Sequence, residues 1–252
     1  MKFFKFTAVA ILMAMATSAS AQFVDDHASF YVQYNSLGVG DYAEYLDDAD
    51  ADADKLSGLT VGFNKAISVT SSLPLFVEFG AGLTYAWANF FEYDEGDDCG
   101  LCDDEYSITG KVVSEHMMVN VPINLIYKFQ LPNSSITIEP YVGLNLKAHL
   151  LGKMKTKYSY EACCDDVEEI LEEEFEDLDE DDMTVDYFDK KDMGGKKYVG
   201  SRLNYGWQIG ANVDFGSAFA GISYGSDLNK FMEYGKDDWT FSAFNVTVGV
   251  RF

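Results

Sequence analysis

Four cysteines, three histidines and a dense population of carboxylates are the residues of this 252-residue chain with types and spacings suited to chemistry. The cysteines fall into two groups, Cys99-Gly100-Leu101-Cys102 and Cys163-Cys164. Together they carry the donors of a four-thiolate zinc site, but two adjacent cysteines chelate a tetrahedral ion poorly. In an oxidising compartment the same thiols pair as disulfides, which is the favoured reading. One connectivity ties the two groups together, and a local Cys99 to Cys102 bridge competes with it. A bond between the groups would restrict a long connection, for which disulfides contribute about 2 to 4 kcal/mol.

The histidines are His27, His116 and His149, and His116 follows directly on Ser114-Glu115. Ser, Glu and His are the groups of a hydrolase or acyltransferase. Consecutive residues of a strand point to alternate faces, however, so these three cannot make a triad among themselves. They read as polar rim and lumen residues, and no catalytic residue, metal site or cofactor is assigned. Carboxylates cluster in DDADADAD, residues 47–54, and in CCDDVEEILEEEFEDLDEDD, residues 163–182. The first lacks the glycine and distal glutamate of an EF-hand, leaving loose divalent-cation binding by carboxylate oxygens. In the second, Val167, Ile170, Leu171, Phe175 and Leu178 recur at helical spacing, predicting a short amphipathic helix that packs on its surroundings or is presented to a partner.

The elements that position these groups are strands. Residues 1–21, MKFFKFTAVAILMAMATSASA, have the lysines, apolar run and small-residue end of a cleaved export signal, so the mature chain is expected to begin at Gln22. From Leu203 to Phe215 apolar Leu203, Tyr205, Trp207, Ile209, Ala211, Val213 and Phe215 alternate strictly with polar or small residues. The pattern recurs at 75–91, 117–129, 136–150 and 240–252, with shorter candidates at 28–36, 57–67 and 218–227. A period of two is a strand with one face in an apolar medium. Globular strands average about 5 to 6 residues, whereas a tilted membrane strand needs about 9 to 11.

Eight strands, short turns at one end and long connections at 37–56, 92–109, 151–202 and 228–239 at the other predict an all-β fold: an eight-stranded antiparallel transmembrane β-barrel spanning residues 22–252. Aromatic residues near strand ends, Trp87, Phe91, Tyr127, Phe129, Tyr205, Trp207, Phe215 and Trp239, are the expected interfacial girdles. Glu78, Lys128, Glu139, Lys147, Asp214 and Arg251 all fall on the face opposite the apolar one. Because a lipid-facing Arg or Lys at the midplane costs about 2 to 4 kcal/mol, these charges are assigned to the lumen. A barrel this narrow is filled by side chains, so acidic Glu78, Glu139 and Asp214 set against basic Lys128, Lys147 and Arg251 make a plug of paired charges.

The stretches VNVPINLIYKF, ITIEPYVGLNLKAHLLGK, YGWQIGANVDFG and the C-terminal FNVTVGVRF resemble the outer-membrane β-barrel domain of Bacteroidetes, related to small OmpA-like and OmpX-like barrels of the porin family. The resemblance covers the chain from about Ser29 to Phe252. It implies an integral protein of a Gram-negative outer membrane, with Phe252 as the terminal aromatic signal read by the barrel assembly machinery. It implies no catalytic residues.

A formal charge of −24 excludes nucleic acid as a partner, since like charges repel. The expected partners are outer-membrane lipid, the assembly machinery, divalent cations at the acidic loops and an extracellular or envelope partner not named by the sequence. The expected function is a non-enzymatic structural or surface-interaction role for the acidic loops. The alternatives are a narrow channel for small solutes and, less favoured, a rim-site enzyme. Unboiled protein in detergent should migrate differently from boiled protein on a gel, and deletion of Phe252 should impair assembly. Identical mobility together with a soluble periplasmic product would refute the barrel.

Overall fold

A computed structural model describes residues 26–40, 55–70, 73–98, 105–161, 184–193, 199–234 and 237–252. The export signal, the DDADADAD run, all four cysteines and the helix expected at Val167 to Leu178 lie outside the described residues. The strands are β1 (His27–Gly40), β2 (Lys55–Ser68), β3 (Leu75–Asp98), β4 (Glu105–Tyr127), β5 (Phe129–Gln130), β6 (Thr137–Glu161), β7 (Thr184–Asp186), β8 (Leu203–Asp214), β9 (Ala218–Asp227), β10 (Met232–Tyr234) and β11 (Asp237–Arg251). Hydrogen-bonded order runs β1-β2-β3-β4-β6-β8-β9-β11, and β11 pairs back onto β1 to close an eight-stranded antiparallel barrel. The short β5 and β7 pair with β6, and β10 pairs with β11. At the seam Phe252 N donates to Ala28 O at 3.0 Å and Ala28 N to Phe252 O at 2.9 Å, so the last residue takes part in closure.

Alternation decides which side chains meet lipid. On β8 Leu203, Tyr205 and Ile209 are exposed while Asn204 and Asn212 are buried, and on β11 Val246, Val248 and Val250 are exposed around buried Asn245 and Thr247. This inversion of a globular protein, apolar outside and polar inside, is what a bilayer solvent requires. Tyr85 and Trp87 stack at 5.7 Å, Tyr127 and Phe129 lie 4.5 Å apart, and Trp207 meets Tyr224 at 5.9 Å, all on the outer surface.

Trp239 departs from the girdle expectation. It is 1% exposed, inside the barrel with Phe241. Both occupy the same alternate positions as Asn245 and Thr247 on β11, so parity, which outranks closeness to a strand end, turns them inward.

Strands β3, β4 and β6 run for 24, 23 and 25 residues, well into the segments expected as loops at 92–109 and 151–202. In these charged ends the alternating apolar pattern stops while the backbone ladder continues. Besides a register shift on β3 between Asn89 and Phe91, an irregularity lies on β6: Met117 pairs with Leu151 and Met118 with His149, leaving Leu150 as an extra residue. Such a bulge shifts the side-chain parity of everything beyond it. His149 and Gly152 accordingly both face inward and are buried.

The tight turn between β8 and β9 depends on Gly216, at φ 98°, where its N donates to Asp214 Oδ1 at 2.7 Å. Gly62 matters for space: a Cβ built there would land in the ring of Tyr31, which is 5% exposed in the lumen. Replacing Gly62 with Val should lower stability by about 1 to 3 kcal/mol through overpacking, read as a shift in the urea midpoint of the heat-modifiable gel band. A Gly62→Val protein with an unchanged midpoint would show that Tyr31 does not fill this space.

Candidate functional site

The lumen is built from one inward position on every second residue of each strand, and its contents change with height. At the periplasmic end Arg251, one residue from the C-terminus, reaches across to Glu139 of β6. Its Nη1 donates to Glu139 Oε1 at 2.8 Å, its Nη2 to Oε2, and Nη1 also contacts Asp214. The planar guanidinium suits such a fork, and Glu139 is fully buried beneath it. Lys128 Nζ lies 3.6 Å from Glu139 and 4.1 Å from the centre of the Phe76 ring, and donates to His27 Nδ1 at 3.3 Å.

Amides and hydroxyls fill the middle. Asn35 Nδ2 donates to Thr60 Oγ1 at 2.8 Å, Gln208 Nε2 to Asn124 Oδ1 at 2.6 Å, Asn245 Nδ2 to Ser223 Oγ at 3.0 Å and Thr247 Oγ1 to Gln33 Oε1 at 3.0 Å. Two cavities of about 40 and 50 Å³ lie along this zone, sharing Gln33, Asn120, Asn145 and Gln208 as walls. Each has room for no more than a few waters. Above them Lys147 Nζ contacts Asp227 Oδ1 at 2.5 Å, and Asn204 Nδ2 donates to Asp227 Oδ2 at 3.2 Å.

Of the six lumen charges read from the sequence, Lys128, Glu139, Asp214 and Arg251 thus meet in one cluster. Lys147 and Glu78 do not join it. Lys147 pairs with Asp227, which the sequence reading placed only as the last residue before a loop. The parity of buried Phe219 and Ser223 on β9 is the signal that marks Asp227 as inward. Glu78 accepts from Asn124 Nδ2 at 3.0 Å, so its partner is an amide and not a base.

At the outer end the lumen turns apolar. Tyr187, Phe231, Met232, Trp239 and Phe241 pack with Leu37, Val39, Leu56, Ala86 and Ala88, and the partly buried Phe188 and Met154 close against them. Tyr187 and Phe188 lie in the turn after β7, and Phe231 stands directly before β10, so two inturned connections cap the barrel. Enclosed by these rings are His116, 0% exposed, and His149, 2% exposed. His116 stacks on Tyr187 at 5.4 Å, His149 lies 4.9 Å from Phe231, and the two imidazole centroids are 6.3 Å apart.

Ser114 Oγ is 3.2 Å from His116 Nε2 and 3.1 Å from Tyr187 Oη. Alternation therefore separates Glu115 from the other two while bringing Ser114 and His116, two residues apart, to one face. Glu115 stands outside the wall with Lys155 Nζ at 2.9 Å. Among the described residues no three His, Cys, Asp or Glu side chains gather as a metal site. Cys99, Cys102, Cys163 and Cys164 lie outside them.

Solved structures similar to this chain include the attachment invasion locus protein Ail of Yersinia pestis, 10% identical over 91% of this chain and 100% of that one, with a TM-score of 0.33. The outer membrane enzyme PagL is 14% identical over 87% of this chain and 98% of that one, with a TM-score of 0.38. Neisserial surface protein A is 9% identical over 90% and 97%, with a TM-score of 0.34. No curated protein matches the sequence. The model of the outer membrane protein beta-barrel domain matches residues 7–252, nearly the whole length, and the chain belongs to that family.

Proposed function

We propose that this outer-membrane β-barrel protein is a non-conducting, non-enzymatic scaffold whose acidic outward loops carry a structural or surface-interaction role. The observation that supports this most is the occupied lumen. Among the described residues, a solute entering from either end meets a bidentate Arg251–Glu139 pair or the packed aromatic cap, and two cavities of about 40 and 50 Å³ lie between them. Moving buried charge aside to open a path would leave partners unpaired in a low-dielectric interior, at a cost of several kcal/mol.

The same cap argues against hydrolysis at Ser114 and His116. Ser114 and His116 are each 0% exposed, and Glu115 points away from them. A nucleophile buried to this degree offers no approach to a lipid or peptide substrate. What remains accessible is the outer surface: lipid against the apolar belt, and, beyond it, the loops in which the sequence concentrates its carboxylates. Divalent cations that relieve repulsion there, and an envelope or extracellular partner, are the contacts this reading assigns to them. Residues 1–21 as a cleaved signal, delivery to a Gram-negative outer membrane and recognition of Phe252 by the assembly machinery belong to the same reading.

Purified protein in planar bilayers is expected to give no unitary conductance steps; steady steps from the wild-type chain would establish the narrow channel instead. In cells, Ser114→Ala should leave the composition of envelope lipids unchanged. A lipid species that disappears with Ser114 and returns with the wild-type gene would reinstate the enzyme.

A further inference from the structure

The capped chamber at the outer end contains an imbalance that packing does not account for. His149 has no hydrogen-bond partner on either ring nitrogen, and His116 has none on Nδ1. Buried polar atoms are almost always satisfied, and leaving one without a partner is costly relative to an apolar replacement. Two histidines in this state, facing each other inside a box of Tyr187, Phe188, Phe231, Trp239 and Phe241, call for a ligand.

We infer that His116, His149 and Met118 form a buried binding site for a soft monovalent metal ion, copper(I) being the biological member of that class. The register places the three donors in one patch. Met118 pairs directly with His149 across the β4–β6 ladder, and it stands two residues from His116 on the same inward face. Met118 is 2% exposed and borders the upper lumen cavity. Direct cross-strand partners bring their Cβ atoms within about 4.5 to 5.5 Å, close enough for a thioether to reach a neighbouring imidazole.

The ring separation fits a shared ion. With metal–nitrogen bonds of about 2.1 Å, two imidazoles on opposite sides of one ion have centroids about 6.4 Å apart. The observed 6.3 Å leaves room for one ion shared between the two rings, and monovalent copper readily takes two nitrogens with a sulfur approaching from the side. Ser114 completes the assignment. When His116 Nε2–H donates to Ser114 Oγ at 3.2 Å, Nδ1 keeps its lone pair for the metal, and Tyr187 holds Ser114 in place at 3.1 Å. Ligating histidines are commonly fixed in this way through their second nitrogen.

Charge selects the class. All three donors are neutral, Asp227 is already engaged by Lys147 and Asn204, and the charged groups that act on His149 are the cations Lys147 and Arg202, so the site takes the lowest possible charge. Burying a divalent ion without an anionic ligand is prohibitive, whereas a monovalent ion of the same size carries about one quarter of the desolvation cost because that cost scales with charge squared. Thioether and imidazole are ligands suited to copper(I), and the faces of the surrounding aromatic rings favour a cation.

The test uses the full chain, folded in detergent, with Cys99, Cys102, Cys163 and Cys164 changed to Ser so that thiols do not compete. Anaerobic titration with copper(I) against a colorimetric copper(I) chelator should give one equivalent bound, and silver(I), a redox-inert probe, should compete for it. His149→Phe and His116→Phe should each weaken binding by at least about 10-fold while retaining heat-modifiable mobility, and Met118→Leu should weaken it by less. X-ray absorption of the copper-loaded protein should show nitrogen and a single sulfur. No binding by the cysteine-free protein, or binding that His149→Phe leaves unchanged, overturns the site. Should the histidine variants fail to fold, an absorption spectrum of oxygen-only ligation in the cysteine-free protein overturns it equally.

Discussion

The pairing of β11 with β1 is the constraint on which everything else in this molecule rests. In hydrocarbon an unpaired backbone N–H or C=O has no water to turn to, so a sheet crosses a membrane only when its edges are joined. Here the seam runs from Ser29 opposite Arg251 to Gly40 opposite Trp239, and the backbone of Phe252 adds its own pair of bonds to Ala28. Closure then dictates side-chain distribution. Once every backbone group is satisfied within the ring, the outward positions are free to be apolar, and each charge that a spanning strand turns inward has to find its partner there.

The inward charges obey that requirement because the strands bring distant parts of the sequence to the same height. Arg251 of β11, Glu139 of β6 and Asp214 at the end of β8 converge although they lie far apart in the chain. Lys147 and Asp227 do the same higher up. With eight strands the interior is only wide enough for side chains to meet across it, so these pairs also occupy the space through which a solute would pass. Stability and closure of the lumen therefore come from the same contacts.

Much of this was legible because alternation is a local signal. Leu203, Tyr205 and Ile209 against Asn204 and Asn212 tell lipid from lumen without any knowledge of neighbours, and strand length tells a bilayer from a sandwich core. Where the sequence reading fell short, the missing information was non-local. The charged ends of β3, β4 and β6 look like loops until the ladder between them is known. Asp227 looks like the plain end of a strand until Lys147 is seen to reach it. Trp239 sat at a strand end like a girdle residue, yet two-residue counting back from Asn245 puts it inside. The extra residue at Leu150 has no sequence signature, and the joint burial of His149 and Gly152 depends on it. The acidic stretch with Cys163 and Cys164 offers its own reading of tether and surface, and that reading stands on the sequence alone.

The two ends of the lumen differ in one physical respect that bears on function. At the periplasmic end the charges are matched: the guanidinium fork of Arg251 is answered by both oxygens of Glu139 and by Asp214, with Lys128 beside them. Such a network of opposed charges rigidifies and specifies a structure, and Arg251 Nε is the one guanidinium nitrogen in it without a partner among the described residues. At the outer end the aromatic rings of the cap are tightly packed, but three imidazole nitrogens inside it are left without partners. If packing alone had shaped that chamber, Phe or Leu at positions 116 and 149 would fill it without the cost of unanswered lone pairs. Histidine at both, with methionine across the ladder from one of them, is a choice of donor atoms, and donor atoms are informative where a binding event has yet to satisfy them.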